Sequence, residues 1–238
     1  MQSLLRLAFP PQCIGCGELV EEEFGLCGRC WRETPFVTGL VCDCCGAPLP
    51  GEDSGTPEHC DDCLALARPW QRGRAALIYR DNARRLVLAL KHGDRLDLIR
   101  PAARWLTGAA APLLADDCVL VPVPVHYLRL VRRRYNQSAE LAREIGRLTA
   151  RVVIPDLLSR TRRTVPQDGM NRDQRFANQS GAIAAGRRAA ARLAGRPVVL
   201  IDDVMTSGAT MAAAADACRA AGGAEVSIAA LARVAKDT

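Results

Sequence analysis

The sequence predicts an α/β domain, a parallel sheet flanked by helices, carried behind a small metal-binding module. Three observations predict it. From residue 74 onward short apolar runs alternate with amphipathic stretches, the pattern of parallel strands joined by crossover helices. Nine of the eleven cysteines fall between Cys13 and Cys63. One apolar run, Val198-Val-Leu-Ile201, leads straight into two carboxylates and a small-residue turn ahead of an Ala-rich helix.

Residues 1–67 hold four C-x-x-C pairs: Cys13 and Cys16, Cys27 and Cys30, Cys42 and Cys45, Cys60 and Cys63. Each pair sets two thiolates on one tight turn, and Gly17 and Gly46 let backbone amides turn towards the sulfurs. Two pairs complete a closed tetrahedral site, so four predict two structural zinc ions. Pairing in sequence order and cross-braced pairing both satisfy the spacing; Cys44 and His59 stand beside the ligands as substitutes if one site is irregular. Disulfides would need an oxidising compartment. The first ten residues carry Arg6 inside their only apolar stretch and lack the long apolar region of an export signal, so a cytoplasmic location is expected. No apolar run approaches the ~20 residues of a membrane span.

Charge sets this module apart. Residues 1–67 hold three Arg against eleven Asp and Glu, a net −8, whereas residues 68–238 carry a net +14. Each zinc tetrathiolate adds about −2, so the module would repel a phosphate backbone. It reads as a scaffold, or a docking element for a protein partner, that lies against the basic half. Aromatics make up 4% of the chain, too few for a base-stacking platform.

Residues 68–73, Arg-Pro-Trp-Gln-Arg-Gly, read as a linker, and 74–238 as the second domain. Ala75–Tyr79 predicts a strand. Ala83–Leu90 predicts a helix with Leu86, Val87 and Leu90 on one face. Leu98–Leu114 predicts a second helix, Val119–Val125 a strand broken by Pro122 and Pro124, Gln137–Leu148 a helix and Val152–Ile154 a strand. Residues 159–181 are polar, Arg-rich and aperiodic, and read as one long loop, a length that points to function. Ala184–Leu193 predicts a helix ended by Gly195, and Val198–Ile201 a buried strand. Thr210–Ala221 predicts a helix stopped by Gly222-Gly223, and Val226–Leu231 the last strand.

The stretch 198–210 carries the chemistry. A helix N-terminus behind Gly208 is an anion site, and Thr206, Ser207 and Thr210 add hydroxyl donors. There is no G-K-[ST] and no G-x-G-x-x-G, which excludes a triphosphate P-loop and a dinucleotide fold. A phosphate on the loop and a diol on Asp202 and Asp203 together fit a ribose 5-phosphate group.

This strand, its two acids and Thr206-Ser207-Gly208-Ala209-Thr210 resemble the phosphoribosyl-pyrophosphate (PRPP) signature of the type I phosphoribosyltransferases. Several further stretches resemble the ComF family of competence-associated proteins: the Cys-rich start, Ala89-Leu-Lys91-His-Gly-Asp94, Val121-Pro-Val-Pro-Val-His126 and Arg132-Arg-Arg-Tyr-Asn136-Gln137. Arg160, Thr164-Val-Pro166-Gln167, Arg175 and Asn178 extend the match. That family has Arg-Gly-Phe-Asn-Gln where this chain has Arg133-Arg134-Tyr135-Asn136-Gln137.

The resemblance implies a type I phosphoribosyltransferase fold behind a double zinc ribbon, binding PRPP with Mg²⁺. It implies catalytic roles for Asp202, Asp203 and Arg160, and phosphate binding by Met205, Thr206, Ser207, Gly208, Ala209 and Thr210. Pyrophosphate falls to Arg129, Arg133, Arg134, Asn136, Gln137 and Lys91. A hood carrying Thr164, Gln167, Arg175 and Asn178 would close over the substrates. Three functions follow: an enzyme passing phosphoribose to an acceptor, a non-catalytic PRPP or nucleotide sensor in DNA uptake, and a single-stranded DNA binder. The last draws on twelve Arg against five Asp and Glu over residues 121–180.

Overall fold

The computed structural model describes residues 9–92, 95–125, 135–165 and 169–235. The expectations at His126, Arg129, Arg132, Arg133, Arg134 and Gln167 lie outside the described residues.

Two short helices, α1 (Gly28–Arg32) and α2 (Asp61–Ala65), belong to the cysteine module. Five strands then form one parallel sheet: β1 (Gly73–Ile78), β2 (Val119–Pro122), β3 (Val152–Val153), β6 (Val198–Met205) and β7 (Val226–Arg233), in the order β1-β7-β6-β2-β3. Helices α3 (Asp81–His92), α4 (Ile99–Ala110) and α5 (Gln137–Thr149) cover one face. Helices α7 (Ala189–Leu193) and α8 (Ala209–Ala220) cover the other. Strand β6 shows why its sequence reads as a continuous apolar run. Val199 and Ile201 enter a core with Leu86, Leu106 and Leu141, while Val198 and Leu200 enter a second with Met211, Ala215 and Cys218. Both faces are buried, so no polar alternation is left.

The module grips the edge strand from both sides. Ile14 of the first ribbon joins the first core, and Cys42, Cys44 and Cys45 of the second join the other. Gly73 N donates to Asp43 O at 2.8 Å, and a Cβ at Gly73 would sit 2.5 Å from Cys44 O. Glycine is required there because the knuckle lies directly on the strand backbone. Residues 68–73 are packed as well. Trp70 is buried and its Nε1 donates to Cys44 O at 2.7 Å, while Gln71 N donates to Val226 O at 2.9 Å. The acidic module lies on the basic half: Asp43 pairs with Arg74 at 2.7 Å, Glu33 with Arg85 at 2.9 Å and Asp62 with Arg172 at 3.3 Å.

Four expectations need correction. Residues 159–181 are not one loop. β4 (Leu158–Arg160) pairs antiparallel with β5 (Ile183–Ala185), and α6 (Arg172–Gln179) lies between them, started by an Asn171–Gln174 capping box. The helix expected over Ala184–Leu193 is shortened to α7, because Ile183–Ala185 is taken into that pairing. The helix over Leu98–Leu114 is α4, bounded by 3-10 turns at Leu96–Leu98 and Ala111–Leu113. β6 continues past Ile201 to Met205, since β7 keeps pairing with it through Asp202↔Ala230, Val204↔Ala232 and Met205↔Arg233. Among the described residues no helix is long and apolar enough to cross a membrane.

Candidate functional site

The four pairs of cysteines close in sequence order. The sulfurs of Cys13, Cys16, Cys27 and Cys30 lie within 4.8 Å of one another, as do those of Cys42, Cys45, Cys60 and Cys63. Zn–S bonds of about 2.3 Å put neighbouring sulfurs of a tetrahedron about 3.8 Å apart, and the Cys16–Cys27 and Cys45–Cys60 pairs stand at 3.7 Å. One thiol in each group is set apart from its neighbours as the first to ionise. Burial pushes the Cys13 thiol up, but N–H groups of Cys27, Cys16 and Gly15 outweigh it and bring the thiol down to about 6. At Cys42 a hydrogen bond from Cys45 and the amides of Cys60, Cys45 and Cys44 overcome burial and bring it to about 4. The residues fit Zn²⁺, and Cys44 and His59 fall outside both groups.

The second centre lies at the C-terminal end of β6, where an open parallel sheet presents its ligand crevice. Asp202 Oδ1 accepts hydrogen bonds from Ser138 Oγ and Asp203 N, both at 2.9 Å. Asp203 Oδ1 lies 3.1 Å from Lys91 Nζ, at the end of α3. The start of α5 holds this arrangement together. Asn136 caps the helix by accepting from Ser138 N at 3.1 Å, and its Nδ2 donates to Val123 O at 3.1 Å. Gln137 is buried and its Nε2 donates to Lys91 O at 3.4 Å, while Tyr135 Oη donates to Leu90 O at 2.8 Å. Asn136 and Gln137 thus tie α5 to β2 and α3. Burial and then the Asp203 charge push the Asp202 carboxyl up to about 7, against Lys91 and Ser138.

Thr206, Ser207 and Gly208 join β6 to α8. Gly208 caps the helix with φ +82, a conformation that strains any residue with a Cβ. A Cβ there would also stand 3.1 Å from Trp70 Cη2 and 3.2 Å from Arg68 Nη1. Ala209 N, the first amide of the helix, is 3.4 Å from Ser207 Oγ. Two arginines hold the turn from behind. Arg68 Nη1 donates to Ser207 O at 2.9 Å, and Arg233 Nη1 donates to Thr206 O at 2.5 Å and Met205 O at 3.3 Å. Met205 is buried in the strand, Thr206, Ser207 and Thr210 are half-buried, and Ala209 opens the helix.

The expected hood residues form a separate cluster. Arg160 Nε donates to Pro124 O at 2.9 Å, and its Nη1 reaches Gln179 Oε1 at 3.0 Å and Thr164 Oγ1 at 3.3 Å. Asn178 exchanges hydrogen bonds with the Val165 backbone at 2.9 and 3.3 Å. Arg175 is half-buried on α6 beside Phe176, whose ring lies 5.9 Å from the Arg68 guanidinium. Arg160 therefore ties β4 and α6 to the segment after β2. Sequence reading missed Ser138, Arg68, Trp70 and Arg233. The one signal at hand was Arg233, a lone cation ending an apolar strand.

A parallel sheet with this strand order, two acids at the end of β6 and a glycine turn into α8 define a class, and the comparisons agree with it. A family model described as a phosphoribosyl transferase domain matches residues 106–238, and one described as a double zinc ribbon domain matches residues 4–64. The chain belongs to the phosphoribosyltransferase-domain family, in its form with a double zinc ribbon ahead of that domain.

Among its relatives is Competence protein F of Haemophilus influenzae, 26% identical over 230 residues, covering 93% of this chain and 96% of that protein. DNA utilization protein YhgH of Escherichia coli is 30% identical over 217 residues, covering 87% and 89%. These matches bear out the ComF resemblance. The crystal structure of TT1426 from Thermus thermophilus aligns over 59% of this chain and 85% of its own, at 19% identity and a TM-score of 0.36, too weak a likeness to add to the strand order.

Proposed function

We propose that the chain binds PRPP or ribose 5-phosphate with Mg²⁺ at the end of β6, acting in the cytoplasm in the handling of incoming DNA. The observation that carries this reading is the order along one stretch of chain: Asp202 and Asp203 near the end of β6, two further strand residues, the turn of Thr206, Ser207 and Gly208, and the N-terminus of α8. Carboxylates accept the hydroxyls of a ribose diol, while the turn's amides and hydroxyls suit the 5-phosphate. Oxygen donors at Asp202 and Asp203 also suit Mg²⁺ alongside substrate oxygens. The metal would neutralise charge on the leaving pyrophosphate. Lys91 and the arginines of 129–134 are the cations for that same charge. Residues 159–181 would be the cover that excludes water. Breaking the bond at C1 of the ribose, through an oxocarbenium-like state as in glycoside cleavage, would require no protein nucleophile. Transfer to an acceptor makes this an enzyme; a sensor uses the binding half alone. The name of one relative, a DNA utilization protein, favours work on DNA, and the arginine excess over residues 121–180 favours single-stranded DNA as a second ligand.

Calorimetric titration of PRPP with Mg²⁺, followed by ³¹P NMR over hours, tests the reading. Saturable binding is expected. The double variant Thr206→Ala with Asp203→Asn is expected to lose it while keeping both zinc ions. Equal affinity in that variant, or no binding to the zinc-loaded protein, overturns the assignment. Salt-titrated binding of single-stranded DNA tests the second ligand.

A further inference from the structure

We propose that Arg68, in the segment between the cysteine module and the sheet, is a positioning residue of the anion site. It fixes the turn of Thr206, Ser207 and Gly208 with its amides facing the ligand, and helix α6 of the cover holds Arg68 in place. The proposal rests on the reading of residues 206–209 as an anion site.

The turn is anchored through its carbonyls. Met205 O accepts from Val234 N at 2.9 Å, Thr206 O from Arg233 Nη1 at 2.5 Å and Ser207 O from Arg68 Nη1 at 2.9 Å. In a trans peptide the next N–H points opposite to the carbonyl. The amides of Thr206, Ser207 and Gly208 therefore point away from these donors, and among the described residues none of the three donates to a protein acceptor. Successive N–H groups left free on one side of a turn make an anion-binding concavity. Among the described residues Arg68 is the one partner of Ser207 O, so the direction of the Gly208 amide depends on it.

Arg68 is itself held from three sides. Its neighbours in the chain are tied down: Pro69 O accepts from Arg219 Nη1 of α8 at 3.5 Å, Trp70 Nε1 donates to Cys44 O at 2.7 Å, and Gln71 exchanges two hydrogen bonds with Val226, both at 2.9 Å. The guanidinium then lies against two rings, that of Trp70 at 5.4 Å and that of Phe176 at 5.9 Å, and its Nε is buried without a hydrogen-bond partner. Cation–π contact with two rings and one hydrogen bond thus decide where a long, flexible side chain stands. Trp70 is fixed in the core, but Phe176 belongs to α6 (Arg172–Gln179), within the segment read as the cover. A shift of α6 takes one wall from the guanidinium that holds Ser207 O, which couples the cover to the loop.

The test uses the full-length, zinc-loaded protein, with two readouts: ¹⁵N backbone order parameters without ligand, and PRPP affinity with Mg²⁺. In Arg68→Met the side chain keeps its contact with both rings and loses its donor. The order parameters of Ser207 and Gly208 are expected to fall from about 0.85 to below about 0.6, those of β2 to stay as in the parent, and PRPP to bind about tenfold more weakly. Phe176→Leu keeps apolar bulk and removes the ring face. It is expected to give a smaller fall at the same two residues and about threefold weaker PRPP. Order at Ser207 and Gly208 equal to the parent's in Arg68→Met, or an equal fall in β2, overturns the proposal, as does unchanged affinity where the parent binds. Parent-like order in Phe176→Leu overturns the part given to α6. A parent that does not bind PRPP, together with lost order at the turn in Arg68→Met, overturns the ligand reading and leaves the positioning of the loop standing.

Discussion

Lys91 Nζ lies 3.1 Å from Asp203 Oδ1, an ion pair that fastens the last turn of α3 to the C-terminal end of β6. Both side chains are largely withdrawn from water, at 23% and 10% exposure. The lysine that the family resemblance assigns to pyrophosphate thus rests on the acid assigned to ribose. A ligand that brings its own anion to Lys91 would release Asp203 to accept a hydroxyl or meet a cation.

Lys91→Met removes the cation and leaves Asp203 half of a broken, mostly buried pair. The expected cost is about 2 kcal/mol of folding stability, below the full penalty for a wholly buried pair because water still reaches the lysine. Urea unfolding at pH 8, in the presence of zinc, measures it. The variant Lys91→Arg retains the charge and is expected to recover most of the loss. If Lys91→Met unfolds at the same urea concentration as the parent, solvent already screens the contact.

Asp202 sets a dependence on pH. Its carboxyl is pushed from the ordinary 3.8 up to about 7, first by burial and then by the charge of Asp203. The folded state therefore holds this proton more tightly than the unfolded chain. Stability from this group is greatest below 3.8 and declines as pH rises through the folded value near 7. Between pH 6 and 8, away from acid that strips zinc, the parent is expected to lose about 1 kcal/mol that Asp202→Asn does not lose. Urea midpoints across that range, without Mg²⁺, make the comparison. Parallel curves for the two proteins would place Asp202 in an ordinary, hydrated environment.

The zinc stoichiometry of single variants tests which cysteines are ligands. Cys63→Ser is expected to hold one zinc ion and Cys44→Ser two, because the Cys44 sulfur falls outside the group formed by Cys42, Cys45, Cys60 and Cys63. Atomic absorption on the purified variants decides it. Retention of two zinc ions by Cys63→Ser would mean that Cys44 or His59 replaces it.

Local rules made much of this molecule legible. The C-x-x-C pairs needed only spacing, and β6 needed only four apolar residues before two acids. Gly208 was readable because a turn into a helix demands a residue free to take φ +82. What escaped was decided at long range. Arg68 meets Ser207 across 139 residues, and Ser138 meets Asp202 across 64. No window of sequence contains either pair. Residues 159–181 escaped for a different reason. Their arginines suggested solvent, but Arg160 spends its donors on Pro124, Thr164 and Gln179, and the Asn171–Gln174 capping box that begins α6 was passed over. Polar composition hid a helix whose apolar contribution is little more than Phe176.

Gly208→Ala probes the turn without touching charge or metal. The backbone stands at φ +82, and the added methyl would meet Trp70 Cη2 at 3.1 Å and Arg68 Nη1 at 3.2 Å. The left-handed conformation alone is expected to cost about 1 kcal/mol, and displacing the Trp70 ring adds to it, because that ring is held to Cys44 O and is buried against the ribbon. Strain of this kind is relieved most cheaply by shifting the turn away from Trp70, which pulls Ser207 O off Arg68. The expected result is a loss of about 1–3 kcal/mol of stability, and a loss of PRPP affinity larger than in a variant of equal stability made elsewhere, such as Leu106→Ala in the opposite core. Calorimetry of both variants alongside thermal unfolding separates the two effects. Equal affinities in the pair would show that the turn can move without consequence for the ligand.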